Sequence, residues 1–116
     1  MPVTLPADLA AAILREVIVG LVRRDGPALS SHQLGVFLTC YSVDGEHTVR
    51  GLAQRLDVSK SVITRSLDKL AGLGLAERAP DLRDRRSVLV ARTATGEALM
   101  REITGAAVQS AAGWQE

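Results

Sequence analysis

A charged segment of seven residues, 80–86, lies between two short apolar runs and contains three arginines and two aspartates: Arg83, Arg85, Arg86, Asp81 and Asp84. A guanidinium group is always charged and suits phosphate oxygens and the narrow minor groove of DNA, where negative potential concentrates. Arg83 is nearest the centre of the segment and is the expected minor-groove contact. We expect the two aspartates to shape the loop. The alternative is a charge run that is merely solvated.

A second polar set follows helical spacing over residues 59–73. Its inward stripe would be Ile63, Leu67 and Leu70. Outward side chains would be Ser61, Thr64, Arg65 and Asp68, flanked by Ser59, Lys60 and Lys69. A helix fits the major groove of DNA, which is roughly 12 Å wide, and an arginine there can donate two hydrogen bonds to guanine. We therefore expect Arg65 to contact a base. The alternative is a solvated face, or one that binds a protein.

Charge is distributed unevenly along the chain. Residues 48–92 contain ten Lys and Arg against five Asp and Glu, a net charge of +5, whereas the remainder contains four against eight, a net charge of −4. This central excess is typical of a module that meets phosphates. Arg50 and Arg78, near the edges of the segment, are expected phosphate contacts that carry no sequence information.

These side chains need a scaffold, and residues 48–92 have the signals for one. Thr48 can begin a short helix, Asp57 lies at a bend, Ser59 can cap the next helix, and Gly74 can end it in a left-handed conformation. Two helices joined by so short a turn must cross steeply, as in a helix-turn-helix. The runs 75–79 and 87–92 are strand-like, so the charged segment becomes the tip of a β-wing.

Further helices are predicted on both sides of this centre. Ser30 or Ser31 can cap a helix that runs to about Val43 and buries Leu34, Phe37, Leu38 and Tyr41. Residues 5–24 carry a wide apolar stripe, and Thr93 can cap a last helix over 94–113. The outer helices, 5–24 and 94–113, would form a dimerisation layer, although ordinary core packing also explains the stripe. With 116 residues and 47% hydrophobic content, the prediction is one domain, 1–116, mainly α with a small antiparallel β-wing.

From about Ser30 to Ile103 the chain resembles the MarR family of bacterial transcription regulators. The resemblance rests first on two motifs of the helix-turn-helix: Val58-Ser59-Lys60-Ser61-Val62-Ile63-Thr64-Arg65, and Leu70 through Leu75 leading to Arg78. It rests further on the wing motif Asp81-x-Arg83-Asp84-x-Arg86 followed by Val88-Leu89-Val90, and on Thr93-x-x-Gly96 at the start of the last helix. It implies a winged helix-turn-helix that binds near-palindromic operators as a homodimer, with helix 59–73 in the major groove and wing 80–86 in the minor groove. Members usually continue with a further helix, whereas only about 20 residues follow Gly96 here. We therefore expect a reduced C-terminal dimerisation region, which leaves no clear site for a small-molecule effector.

Other classes of function have little support. The apolar segment from Leu9 to Val22 is interrupted by Arg15 and Glu16 and is too short to cross a bilayer, so no membrane partner is expected. The single cysteine, Cys40, favours a reducing compartment, the cytoplasm, and is expected to be a buried hydrophobe more than an oxidant sensor. No His or Cys pair has zinc-motif spacing and no nucleotide-binding glycine loop is present, so we expect no metal, no cofactor and no enzyme activity. The remaining alternatives are a protein-interaction module that modulates another regulator and a ligand- or redox-responsive repressor.

Overall fold

The computed structural model describes residues 4–114 and shows five helices and three strands within them. The helices are α1 Ala7–Arg23, α2 Ser31–Ser42, α3 Val49–Leu56, α4 Lys60–Gly72 and α5 Ala94–Ala112, and the strands are β1 His47–Thr48, β2 Glu77–Pro80 and β3 Val88–Ala91. The predicted class, mainly α with a small antiparallel β-wing, is confirmed. Among the described residues, 29–100 form one compact unit, and 4–28 together with 101–114 form a second. Each unit has buried residues of its own.

The core of the 29–100 unit is built where α2, α3 and α4 pack together. Its fully buried side chains include Val36, Phe37, Leu52, Ile63, Leu67 and Leu70. The stripe predicted for α2 was displaced, because Val36 and Cys40 are buried beside Phe37, whereas Leu34, Leu38 and Tyr41 are only half-buried. Cys40 follows Phe37 by three residues and Val36 by four, so these three side chains share the centre of one helical face. The predicted residues Leu34, Leu38 and Tyr41 lie at the two sides of that face.

The helix-turn-helix forms from the predicted caps. The Thr48 hydroxyl accepts the N–H of Gly51 at 3.0 Å, and the Ser59 hydroxyl accepts that of Val62 at 3.2 Å. Between them Asp57 adopts a left-handed conformation with φ 55°, which ends α3 and turns the chain within three residues. Gly74, with φ +72°, ends α4 through a bond from its own N–H to the Ala71 carbonyl at 3.0 Å. The turn chemistry of the sequence therefore sets the bounds of both helices.

The wing is an antiparallel sheet with strand order β1-β3-β2. Strand β2 begins at Glu77, two residues later than predicted, because the Leu75 N–H bonds the Leu70 carbonyl at 2.9 Å and so still belongs to the end of α4. Strand β1 was not predicted; it pairs His47 with Val90 and Thr48 with Leu89. Two residues are too few for an alternating pattern to appear in the sequence.

The Tyr41 hydroxyl joins three elements of this unit. It donates to the Leu75 carbonyl at 2.8 Å and accepts the Thr93 N–H at 2.9 Å. The Thr93 hydroxyl in turn accepts the N–H of Gly96 at 2.9 Å, which caps the first turn of α5 as predicted. A single phenol thus ties α2 to the segment after α4 and to the start of α5.

In the other unit, α1 and the end of α5 bury Leu9 and Ile103. Arg24 lies 3.8 Å from the Glu102 carboxylate. Several large apolar residues remain exposed here: Leu5, Leu14, Ile18, Val22 and Val108. Within residues 4–114, none of the helices combines the length and hydrophobicity that a membrane span requires.

Candidate nucleic-acid interface

Helix α4 presents a polar face to solvent because its other face is locked in the core. Ile63, Leu67 and Leu70 are each at most 1% exposed. The side chains that the sequence predicted to point outward are exposed: Lys60, Ser61, Thr64, Arg65 and Asp68. Lys69 is half-buried in the last turn of the helix, and Ser59 is exposed while its hydroxyl serves as the cap. The helix therefore offers a short polar strip with two exposed cations, Lys60 in its first turn and Arg65 near its middle.

Two of the cations on this face are available to a ligand. Among residues 4–114, no carboxylate forms an ion pair with Lys60 or Arg65. A partner that contacts these side chains has no internal ion pair to break. Lys60 is also the first residue of the helix, where the helix dipole favours anions.

Arg78 is held inside the chain more firmly than the sequence suggested. Its guanidinium donates to the Asp68 carboxylate at 2.5 Å and to the Thr64 carbonyl at 3.1 Å. The contact fixes β2 against α4, and it neutralises the one acid on the outward face of the helix. The predicted phosphate contact by Arg78 stays a prediction, and a phosphate would have to compete with Asp68.

The wing tip consists of two consecutive hydrogen-bonded turns. The Asp84 N–H bonds the Asp81 carbonyl at 3.2 Å, and the Ser87 N–H bonds the Asp84 carbonyl at 3.0 Å. Each aspartate also accepts a backbone N–H with its side chain: Asp81 accepts from Arg83 and Asp84 accepts from Arg86, both at 3.0 Å. These bonds are local alternatives to a ladder and are typical of aspartate in turns. They place the arginines at the corners of the tip.

Asp81 is the anchor of this tip, with only 12% of its side chain exposed. The hydrogen bond from the Arg83 N–H holds the pKa of the Asp81 carboxyl below its usual value, and a bond from the Ser87 side chain acts in the same direction. The carboxylate form is therefore part of the folded tip.

The arginines of the tip differ in their partners. Arg83 pairs with Glu46, which precedes β1, and its Nε also lies 3.7 Å from Asp81. Arg86 lies 3.5 Å from Asp84. Arg85 is exposed, and no ion pair to it occurs within the described part of the chain. Sequence reasoning missed Glu46, since nothing in the pattern marks a partner 37 residues away.

Helix and wing border one groove of about 450 Å³. Lys60 and Thr64 line it from α4, Arg50 from the start of α3, Arg78 from β2, and Asp84 and Arg86 from the tip. Members of both predicted sets, Lys60 and Thr64 from the helix and Arg86 from the wing, therefore border one groove, whereas Arg65 and Arg83 are not among the residues that line it. This arrangement around one groove could not be read from the sequence, in which the nearest members of the two sets, Lys69 and Asp81, are 12 residues apart.

Cys40 is buried in the core and is not part of this surface. It is 2% exposed, and burial raises the pKa of its thiol to about 11, although Arg92 acts in the opposite direction. A thiol with such a pKa is protonated near neutral pH and is a poor nucleophile. Within residues 4–114, no three His, Cys, Asp or Glu side chains are grouped so that they could hold a metal ion.

Comparison with known proteins identifies the fold. The MarR family model matches residues 29–87, which is 59 of the 116 residues. A crystal structure of MarR is 28% identical with a TM-score of 0.65, and the match covers 89% of this chain and 75% of that one. No curated protein sequence matches the chain.

Two further solved structures are similar in fold. Transcriptional regulator Tm0710 from Thermotoga maritima is 22% identical with a TM-score of 0.75, and the match covers 88% of this chain and 69% of that one. The structure of reduced AbfR bound to DNA is 19% identical with a TM-score of 0.66, over 88% of this chain and 71% of that one. The expected family resemblance is thus confirmed by sequence and by fold, and the chain belongs to the MarR family, with the winged helix fold of its transcription regulators.

Proposed function

We propose that the protein is a sequence-specific regulator of transcription that binds double-stranded DNA as a homodimer, in the cytoplasm, on a near-palindromic operator. Helix α4 enters the major groove and the wing tip enters the adjacent minor groove. The observation that carries this proposal is the common groove that Lys60, Thr64 and Arg86 line from both elements. AbfR, a protein of similar fold, has been solved bound to DNA.

On α4, Arg65 is the base-reading residue of the proposal. Its side chain is exposed and has no ion pair among the described residues, so a bidentate contact to guanine costs no internal bond. Ser61 and Thr64 supply adaptable hydroxyls beside it. Lys60 and the N-terminal end of the helix contact phosphate, with Ser59 as the cap that keeps this end in place.

In the wing, Arg83 supplies the guanidinium for the minor groove, while Arg85 and Arg86 contact the flanking phosphates. Arg83 exchanges Glu46 for DNA on binding. Because exposed ion pairs are worth only about 0–1 kcal/mol, the exchange opposes binding weakly. Asp81 and Asp84 hold the tip in its turn conformation.

Three further cations have supporting roles. Arg50 lines the groove and contacts the phosphate backbone. Lys69 lies near the end of α4 and contributes general attraction. Arg78 acts chiefly by holding Asp68 away from phosphate, so its loss exposes an uncompensated acid to the DNA and weakens binding to every sequence.

A second copy of the chain covers the exposed apolar residues of the outer helices. Leu14, Ile18 and Val22 recur every four residues on α1, so they share one face, and they are 66%, 49% and 77% exposed. Val108 on α5 is 67% exposed. Contiguous apolar faces of this kind mark association surfaces. A two-fold dimer then reads two half-sites about one helical turn apart.

The test is selection of bound sequences from random duplexes, with molar mass measured on the same samples. We expect an inverted repeat and the mass of a dimer. Arg65→Ala should cost about 1–3 kcal/mol at one operator position and relax its base preference, since one bidentate contact is lost. Arg101→Ala, a charge-matched control outside the 29–100 unit, should leave that preference intact. Absence of any preferred sequence at physiological salt would refute the proposal.

A further inference from the structure

Leu82 is the most exposed large hydrophobic side chain among the described residues, at 95%. A single exposed leucine is ordinary on a protein surface. The place of this one is not ordinary, because it lies at the first corner of the turn that the Asp84 N–H closes on the Asp81 carbonyl. Arg83, the proposed minor-groove residue, is at the second corner.

The turn holds Leu82 in place without burying it. The Asp81 carboxylate accepts the Arg83 N–H, so the backbone on both sides of Leu82 is bonded within the tip. An apolar group on a backbone ordered in advance loses little conformational entropy when a partner covers it. Since Leu82 has almost no contacts in the folded chain, replacing it should not disturb folding.

The charges around Leu82 determine what can cover it. Arg83, Arg85 and Arg86 follow it in the tip, and Arg86 also lines the groove shared with α4. A partner of Leu82 must be highly anionic close by and apolar at the point of contact. Duplex DNA meets both conditions in the minor groove, where phosphates flank the sugar rings and the edges of stacked bases.

We infer that Leu82 is a minor-groove wedge: its side chain enters beside Arg83, packs against the sugars and opens one base step. This inference rests on the proposed function. It adds that Leu82 contributes to sequence specificity without making a hydrogen bond to a base. Pyrimidine–purine steps such as TA and CA/TG are the easiest to open. The wedge therefore selects such a step at the wing position of each half-site.

Three variants separate the wedge from a general attraction. Leu82→Ser removes the apolar group, Leu82→Met retains it, and Leu82→Lys replaces it with a charge. Each would be passed through the same selection from random duplexes as the wild type, and the affinity for the best wild-type duplex would be measured over a series of salt concentrations.

We expect Leu82→Ser to bind about tenfold more weakly per half-site, and so about a hundredfold more weakly to the full inverted repeat, because each missing wedge leaves roughly 55 Å² of apolar surface unburied. Its salt slope should be unchanged, because no phosphate contact is lost, and its preference for a flexible step should disappear. Leu82→Met should retain both affinity and step preference. Leu82→Lys should steepen the salt slope by about one unit per half-site, which is about two for the dimer, without restoring the preference.

The inference is overturned if Leu82→Ser retains the wild-type affinity and step preference, or if its loss of affinity comes with a shallower salt slope. In either case a wild-type protein that still selects an inverted repeat leaves the proposed function standing. A wild-type protein that selects no sequence overturns both.

Discussion

Gly96 is the position at which one added methyl group should do most damage to the 29–100 unit. A Cβ atom there would overlap the Tyr41 hydroxyl oxygen and the Leu75 carbonyl oxygen, and would lie 2.5 Å from Tyr41 Cζ. Real Cβ atoms do not approach other atoms so closely. In Gly96→Ala either the phenol or the first turn of α5 must therefore move.

The cost follows from what Tyr41 holds. Its hydroxyl makes two short hydrogen bonds, to the Leu75 carbonyl at 2.8 Å and from the Thr93 N–H at 2.9 Å, and a longer one to the Thr93 carbonyl at 3.4 Å. Each is worth about 0.5–1.5 kcal/mol, and forcing an extra carbon into a packed site costs roughly 1–3 kcal/mol. Alanine regains about 1 kcal/mol through its higher helix propensity. We expect Gly96→Ala to lower the free energy of unfolding by about 1–5 kcal/mol.

Equilibrium urea unfolding followed by circular dichroism measures this loss. Gly72→Ala is the matched control, because a Cβ at Gly72 meets nothing within 4 Å. That variant should be more stable than the wild type by roughly 0.5–1 kcal/mol.

A double-mutant cycle identifies the cause of the loss. Tyr41→Phe removes the hydroxyl that the new Cβ would strike, so Gly96→Ala should cost at least about 1 kcal/mol less in that background than in the wild type. Strict additivity of the two substitutions, or a Gly96→Ala protein as stable as the wild type, would refute the reasoning.

Three further predictions concern the charges and the thiol. Glu46→Gln should raise the affinity for any duplex about 1.5- to fivefold at low salt, because it removes the carboxylate that competes for Arg83; weaker binding in a titration would show instead that Glu46 positions the arginine. Cys40 should not be labelled by a thiol reagent in the native protein at pH 7, and oxidant should leave DNA affinity unchanged. Burial raises the pKa of Cys40 from 9.0 to about 11, so the contribution of its neutral thiol to stability is complete below pH 9 and is lost as the pH rises to 11. Cys40→Ala should therefore show a smaller loss of stability over this alkaline range than the wild type. Equal losses in the two proteins would contradict this. The pKa of Asp81 is lowered, so the contribution of its carboxylate to stability is complete above about pH 4 and is lost as the pH falls through the lowered pKa. The amide resonance of Arg83 should therefore shift in that acid range in the wild type but not in Asp81→Asn. An acid shift of equal size in both proteins would contradict the role of Asp81 as the anchor of the tip.

Local features of this molecule could be predicted from the sequence because they depend on neighbouring residues. The caps at Thr48 and Ser59 and the left-handed Gly74 each involve a side chain and a backbone within a few residues. The same holds for the inward stripe of α4, which follows from helical periodicity. The wing also followed from a local pattern, two apolar runs around a polar turn.

Features that depend on distant residues could not be predicted. The pair between Glu46 and Arg83 and the pair between Asp68 and Arg78 join separate elements, and no spacing rule connects them. Gly96 could be recognised as part of a family motif, but the reason for glycine is the Tyr41 hydroxyl, 55 residues away in sequence. Such contacts are set by how the elements pack and not by any one of them.

The central claim is that α4 and the wing tip face the same stretch of DNA, and tethered cleavage tests it most directly. A cleaving iron chelate would be attached through Ser61→Cys on α4 or Arg85→Cys on the tip, since the native Cys40 is buried and unreactive. We expect cuts from the α4 tether centred in the major groove of each half-site, and cuts from the tip tether in the adjacent minor groove, about five base pairs away. Cleavage from the tip tether no stronger than that of free reagent, or centred more than one helical turn from the α4 cuts, would contradict the account.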